Sequence, residues 1–165
     1  MRLFIVRHGI AVPQGTPGVK EEDRPLTEEG VDKMRRAAKG IDALGVLPDI
    51  IMSSPLPRAR QTAEILLAEF GKNVSLECTE SLAPSGNRRE VYGKLQALPQ
   101  IEAVMLVGHQ PLLGEMAGEI AWGSPENYLE LKKGGTCCID LVTLKPMPRG
   151  TLLWLVTPSI LRALG

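Results

Sequence analysis

Three short apolar runs separated by helical patterns constrain the fold of this chain more than any other feature. They are Leu3-Phe4-Ile5-Val6, Ile50-Ile51-Met52 and Ala103-Val104-Met105-Leu106-Val107. Each is too short for a core helix and reads as a strand buried on both faces. After the first run comes a loop rich in Gly, Pro and charge, Pro13 to Pro25, and then a helix: Thr27 is placed to cap it, Glu28 and Glu29 suit its first turn, and Val31, Met34, Ala38 and Ile41 recur at helical spacing up to Gly45 and Pro48. A second helix follows Ser53-Ser54-Pro55, with Ala59, Ala63, Leu66, Leu67 and Phe70 on one face and Gly71 at its end. Val74, Leu76 and Cys78 alternate as in a half-buried strand, and a weaker helical pattern runs through Val91, Leu95 and Leu98 after the loop Pro84-Ser85-Gly86-Asn87. A helix beginning at Pro111 carries Leu112, Leu113, Met116, Ala117 and Ile120, and Thr136–Leu144 with Thr151–Val156 form a hairpin followed by a short tail. Strands alternating with helices predict a three-layer α/β/α sandwich: a mostly parallel central sheet with an antiparallel edge, folded as one domain over residues 1–165.

Charge excludes several functions. Lys plus Arg equals Asp plus Glu at 19 each, with no block of like sign, so the expected partners include no nucleic acid and no membrane. The apolar run Leu3–Val6 is too short for a secretory signal, which makes the cytoplasm the expected location. Cys78, Cys137 and Cys138 form no CxxC pair, and are expected to be reduced and structural. Trp122 and Trp154 are read as packing residues.

The chain has only two histidines, His8 and His109, and each stands next to a glycine at the exit of a predicted strand. Arg7 precedes the first, and Arg58 follows the exit of the middle strand. In open α/β sheets ligands bind beyond the carboxyl ends of the strands, so these four side chains are expected in one site. Two guanidinium forks and two imidazoles suit a tetrahedral oxyanion, above all a phosphoryl group. A neutral imidazole is a competent nucleophile towards phosphorus, and neighbouring arginines are expected to keep one histidine neutral while the other, protonated, donates to the phosphoryl oxygens. Backbone N–H groups at the helix starts after Pro57 or His109 would add donors. No third ligand with regular spacing accompanies the histidines, so neither a metal nor a cofactor is expected. Arg60 is read as a surface ion-pair former.

Arg7-His8-Gly9, Ser53-Ser54-Pro55 leading to Arg58-Ala59-Arg60-Gln61-Thr62-Ala63, and Gly108-His109 resemble, in order and spacing, the histidine phosphatase superfamily, also called phosphoglycerate mutase-like. The resemblance implies that His8 forms a transient phosphohistidine without a metal, and that Arg7, Arg58 and His109 complete the phosphate pocket. Gly9 and Arg24 are expected to join them in binding substrate, with Ser53 or Ser54 shaping the pocket. Asp23-Arg24-Pro25-Leu26-Thr27 and Leu82-Ala83-Pro84-Ser85-Gly86-Asn87 look most like the small bacterial SixA-type phosphohistidine phosphatases.

Two observations point the same way. The stretch from Ala63 to His109 leaves little room for a cap, and an open site admits a protein surface. The stretch after Glu80 shows no counterpart of the acid that protonates a leaving alkoxide elsewhere in the superfamily, although Glu80, Glu90 or the Glu21-Glu22-Asp23 loop could serve. Phosphohistidine protonated on its other ring nitrogen leaves as neutral imidazole and needs such an acid less. The expected partner is therefore a histidine-phosphorylated domain in a signalling relay. A small phosphomonoester on the same pocket is the alternative, and a phosphate-recognition module without turnover a third reading. A mutase requires an enclosed site.

Overall fold

The computed structural model describes residues 1–98 and 100–165. In chain order the elements are β1 (Arg2–Arg7), α1 (Glu28–Ala43), β2 (Ile50–Ser53), α2 (Pro57–Phe70), β3 (Ser75–Cys78), a 3-10 turn (Glu80–Leu82), α3 (Arg88–Gln96), β4 (Ala103–Gly108), α4 (Leu112–Trp122), β5 (Thr136–Thr143), β6 (Arg149–Val156) and α5 (Pro158–Leu164). The six strands form one sheet in the order β3-β2-β4-β1-β5-β6. The first four are parallel, and β5 and β6 pair antiparallel at the edge.

The apolar runs explain the layers. Successive strand residues point to opposite faces, and both faces are covered. Phe4, Val6, Ile51, Met105 and Val107 pack under α1, α2 and α5, against Met34, Ile41, Ala63, Leu66 and Leu161. Leu3, Ile5, Met52, Val104 and Leu106 face α3 and α4, against Val91, Leu95, Leu113, Met116 and Ile120. Leu3, Ile5, Met105 and Leu106 are fully buried, and burial of each such side chain is worth about 1.5–3 kcal/mol. Cys137 and Cys138 point into these two cores, and all three cysteines are free. Trp154 lies beside Phe4 with ring centroids 6.1 Å apart, whereas Trp122 is half exposed at the end of α4.

Local chemistry sets the helix ends. The Thr27 hydroxyl accepts from the Gly30 N–H at 2.9 Å, capping α1, and the Asn87 side chain caps α3 through the Arg89 N–H at 2.9 Å. Pro57 occupies the first turn of α2, where its missing N–H costs no helical bond.

Three boundaries differ from expectation. The residues after Val156, read as a tail, form α5: Leu161 is fully buried against α1, and Gly40 of α1 lies so close that an added Cβ would meet the Leu161 backbone. Its pattern is hidden in sequence because a single buried leucine anchors it. Strand β6 begins at Arg149 instead of Thr151, because pairing to β5 continues through a bulge to Thr143. Pro111 stands before α4 as its cap residue. Among the described residues no helix is long and apolar enough to cross a membrane.

Candidate active site

The three strand exits that carry the singled-out residues are neighbours. Strand β4 lies between β2 and β1, and the register sets Arg7 opposite Gly108 and Ser53 opposite Val107, so the exits end level. Pairing continues past the strands, with His8 N–H donating to the Gly108 carbonyl at 3.0 Å and Ser54 N–H to the Val107 carbonyl at 2.9 Å. His8 and His109 thereby meet, their ring centroids 5.0 Å apart. Arg7, His8, Arg24, Arg58 and His109 line one cavity of about 330 Å³, at the small end of the range for ligand sites. A larger cavity of about 820 Å³ at the other end of the sheet, beside Met1, Arg2 and Asp140, contains none of them.

Each imidazole is held by a hydrogen bond. His8 Nδ1 lies 2.7 Å from the Gly9 carbonyl oxygen. A carbonyl only accepts, so Nδ1 carries the proton and Nε2 keeps its lone pair. His109 Nε2 lies 2.9 Å from Ser54 Oγ, which also accepts from the Leu56 N–H at 3.3 Å. The two share one proton, either the hydroxyl donating to Nε2 or Nε2–H donating to the hydroxyl. Burial is the main reason that the His8 pKa falls to about 4; the Arg58, Arg7 and Lys133 charges lower it further, against the Gly9 bond, which raises it. Burial likewise drives His109 down to about 3, aided by His8, Arg58, Arg24 and Arg7. The arginines lower the His8 pKa as expected, but desolvation is the larger cause, and the second histidine, expected to be protonated, is neutral as well without a bound anion.

The guanidinium groups retain free donors. Arg58 is only 2 % exposed, yet among the described residues it spends just two N–H bonds, on the Glu21 carbonyl at 2.9 Å and on Glu21 Oε1 at 3.3 Å. Arg7 spends one, on the Leu131 carbonyl at 2.8 Å. The Nε atoms of both are buried without a partner among the described residues. Buried donors are normally satisfied, and orphaned donors beside a cavity suit an oxyanion ligand. Arg24 reaches the cavity from the Pro13–Pro25 loop, anchored on the Val12 carbonyl at 2.8 Å and on Glu21 at 2.9 and 2.5 Å.

Other sequence expectations require correction. Gly9 offers no free backbone group: its N–H donates to Thr62 Oγ1 at 3.0 Å and its carbonyl holds His8. It supports the nucleophile and does not line the cavity. Ser54 orients His109, whereas Ser53 Oγ turns back to the Ser54 carbonyl at 2.9 Å. Of the candidate acids, Glu80 and Glu90 are exposed outside the cavity, and Glu21 lines it. The Arg24 hydrogen bonds hold the Glu21 carboxyl below its usual range, with the Arg24, Arg58 and His8 charges adding to the effect, so it is a carboxylate and a poor proton donor. Lys133 and Gln110, unremarked in the sequence, also line the cavity. Lys133 arrives on a loop whose Gly134 N–H donates to the Arg7 and His8 carbonyls at 3.0 and 3.1 Å, a link over too long a stretch of chain to be legible. Arg60 forms the expected surface pair with Glu64 at 2.9 Å. Among the described residues no group of three or more His, Cys, Asp or Glu is placed to hold a metal ion.

Residues 3–84 match the sequence profile of the histidine phosphatase superfamily (branch 1). Phosphohistidine phosphatase SixA of Escherichia coli is 30% identical over 164 residues, covering 98% of this chain and 97% of that protein. The chain belongs to the histidine phosphatase superfamily. An uncharacterised protein of Picosynechococcus sp. is 42% identical over 139 residues, 82% of each chain. The superfamily fold is closely kept: a structure of the protein histidine phosphatase SixA complexed with tungstate superposes with a TM-score of 0.81 at 29% identity, over 96% of this chain and 98% of that one. As a histidine phosphatase, the chain is a hydrolase.

Proposed function

We propose that this chain is a phosphohistidine phosphatase that removes the phosphoryl group from a histidine-phosphorylated protein through a covalent intermediate on His8. The observation that carries this reading is the pinned His8 ring, whose Nδ1–H is committed to the Gly9 carbonyl while its Nε2 lone pair belongs to a ring lining the cavity. His8 Nε2 attacks phosphorus, the bond from phosphorus to the substrate nitrogen breaks, and its electron pair returns to the substrate ring. The free N–H groups of Arg7 and Arg58 bind the equatorial oxygens, where charge concentrates in the transition state. Arrival of a phosphoryl dianion raises the proton affinity of His109, which then donates to the same oxygens. In the second step water attacks the phosphoryl group, the pair returns to His8 Nε2, and the water proton leaves on the released phosphate.

Leaving-group chemistry supports a nitrogen-linked substrate. The carboxylate lining the cavity, Glu21, is held ionised by arginine, so an alkoxide would leave without a proton, whereas a cationic phosphohistidine ring leaves neutral. The test is a turnover assay of wild type and His8→Ala on a histidine-phosphorylated phosphotransfer domain and on a panel of small phosphomonoesters. The expected result is preference for the phosphoprotein by wild type, with turnover and covalent labelling both abolished in the variant. A labelled, active His8→Ala protein would overturn the mechanism, and preference for a sugar phosphate would overturn the substrate.

A further inference from the structure

We propose that Glu21 is a specificity-determining residue that reads the leaving group, its carboxylate accepting a hydrogen bond from the protonated distal ring nitrogen of phosphohistidine. The inference rests on the substrate class proposed above and assigns it to one side chain. Glu21 lines the cavity with His8 and His109, and its side chain is 48% exposed, so it stands at the mouth and not beneath the phosphoryl group. Oε1 already accepts from Arg24 and from Arg58, and Oε2 from Arg24 Nε at 2.9 Å. A carboxylate has about four acceptor positions, so Oε2 retains one for a ligand.

The surrounding charges decide which ligand. Arg24 and Arg58 contact Glu21, and Arg7, Lys133, His8 and His109 line the same cavity. Arg7 and Arg58 keep enough free N–H groups to bind a phosphoryl group with Glu21 in place, so the carboxylate need not move aside for substrate. A fixed negative charge beside the leaving group repels an ester whose leaving oxygen gains negative charge. It attracts a ring that is cationic before cleavage. When the bond from phosphorus to nitrogen breaks, the pair goes to the phosphorylated nitrogen, the other nitrogen keeps its proton, and neutral imidazole departs with no proton transfer required. By stabilising the imidazolium, Glu21 raises the fraction of bound substrate in the form that leaves.

The experiment compares wild type, Glu21→Gln and Glu21→Asp on a phosphohistidine peptide and on p-nitrophenyl phosphate, whose leaving group has no N–H. Gln keeps the size and an acceptor oxygen but removes the charge. A charge-assisted hydrogen bond to the bound imidazolium, carried in part into the transition state, is worth about tenfold to a hundredfold in kcat/KM. The ratio of kcat/KM for the peptide to that for the aryl phosphate is expected to fall by about that factor in Glu21→Gln, with Glu21→Asp restoring part of it. The basic limb of the peptide pH profile is expected to move to lower pH in Glu21→Gln, because the bound ring then loses its proton more easily. Equal proportional losses on both substrates would overturn the proposal and leave Glu21 as a scaffold for Arg24 and Arg58, with the phosphohistidine reading intact. If wild type cleaves the aryl phosphate but not the peptide, the substrate reading falls and takes this role with it.

Discussion

His8 and His109 are 6 % and 3 % exposed, unusual burial for groups that titrate near pH 6.5 in water. Their folded-state values of about 4 and about 3 give a prediction with a definite sign. Between those values and 6.5 the unfolded chain binds more protons than the folded one, so stability is full above about pH 6.5 and falls as the pH drops towards 4 and then 3. Urea midpoints measured at pH 7 and pH 5 are expected to separate more for wild type than for a His8→Asn, His109→Asn double variant. With only two histidines in the chain, an NMR titration of the imidazoles resolves both directly. Neither is expected to take up a proton above pH 5 in the phosphate-free protein; a midpoint between 6 and 7 for His8 would refute its desolvated placement. The identity of these residues was legible in the sequence, but their protonation was not, because burial rather than sequence neighbours sets it.

At the scale of elements, α2 explains why its motif is spaced as it is. Arg58, Gln61 and Thr62 share the side of the helix that meets the site: Arg58 lines the cavity, Gln61 Oε1 accepts from the Leu26 N–H at 2.7 Å, and Thr62 accepts from Gly9 while donating to the Arg58 carbonyl at 2.7 Å. Thr62 thus ties the backbone that pins His8 to the turn that carries Arg58. Thr62→Val is expected to lower kcat about tenfold with little change in KM, with Thr62→Ser restoring most of it; equal values for Val and wild type would remove Thr62 from this role. The other element-scale prediction concerns α5. Helix propensity alone favours Gly40→Ala by up to about 1 kcal/mol, but the added methyl would strike the Leu161 backbone. A backbone cannot rotate away as a side chain can, so the variant is expected to lose about 1–3 kcal/mol in urea unfolding. A stabilised variant would show that α5 does not dock as described.

For the whole molecule, the site exists only where β1, β2 and β4 end together, so anything that binds there stabilises the fold by linkage. Inorganic phosphate at about a hundred times its dissociation constant is expected to add about 2.7 kcal/mol to the unfolding free energy. Arg58→Ala is expected to lose most of that gain, and an equal gain in the variant would place the anion elsewhere. Leu106, fully buried at the centre of β4, tests the scaffold itself: Leu106→Ala is expected to cost about 2–5 kcal/mol in urea unfolding.

The sequence by itself determined the three-layer α/β/α architecture and singled out Arg7, His8, Arg24, Arg58 and His109, which line one cavity. Both follow from local signals, namely apolar runs buried on two faces and polar motifs at their exits. Tertiary structure decided the rest. The strand order sets β4 between β1 and β2 and so brings His8 within 5.0 Å of His109. Burial sets the protonation of both rings, and Lys133, Thr62 and α5 take their places through contacts between segments far apart in the chain. Glu21 combines the two: the sequence offers its loop among the candidate acids, while Arg24 three residues on and Arg58 brought in from α2 hold it as a carboxylate.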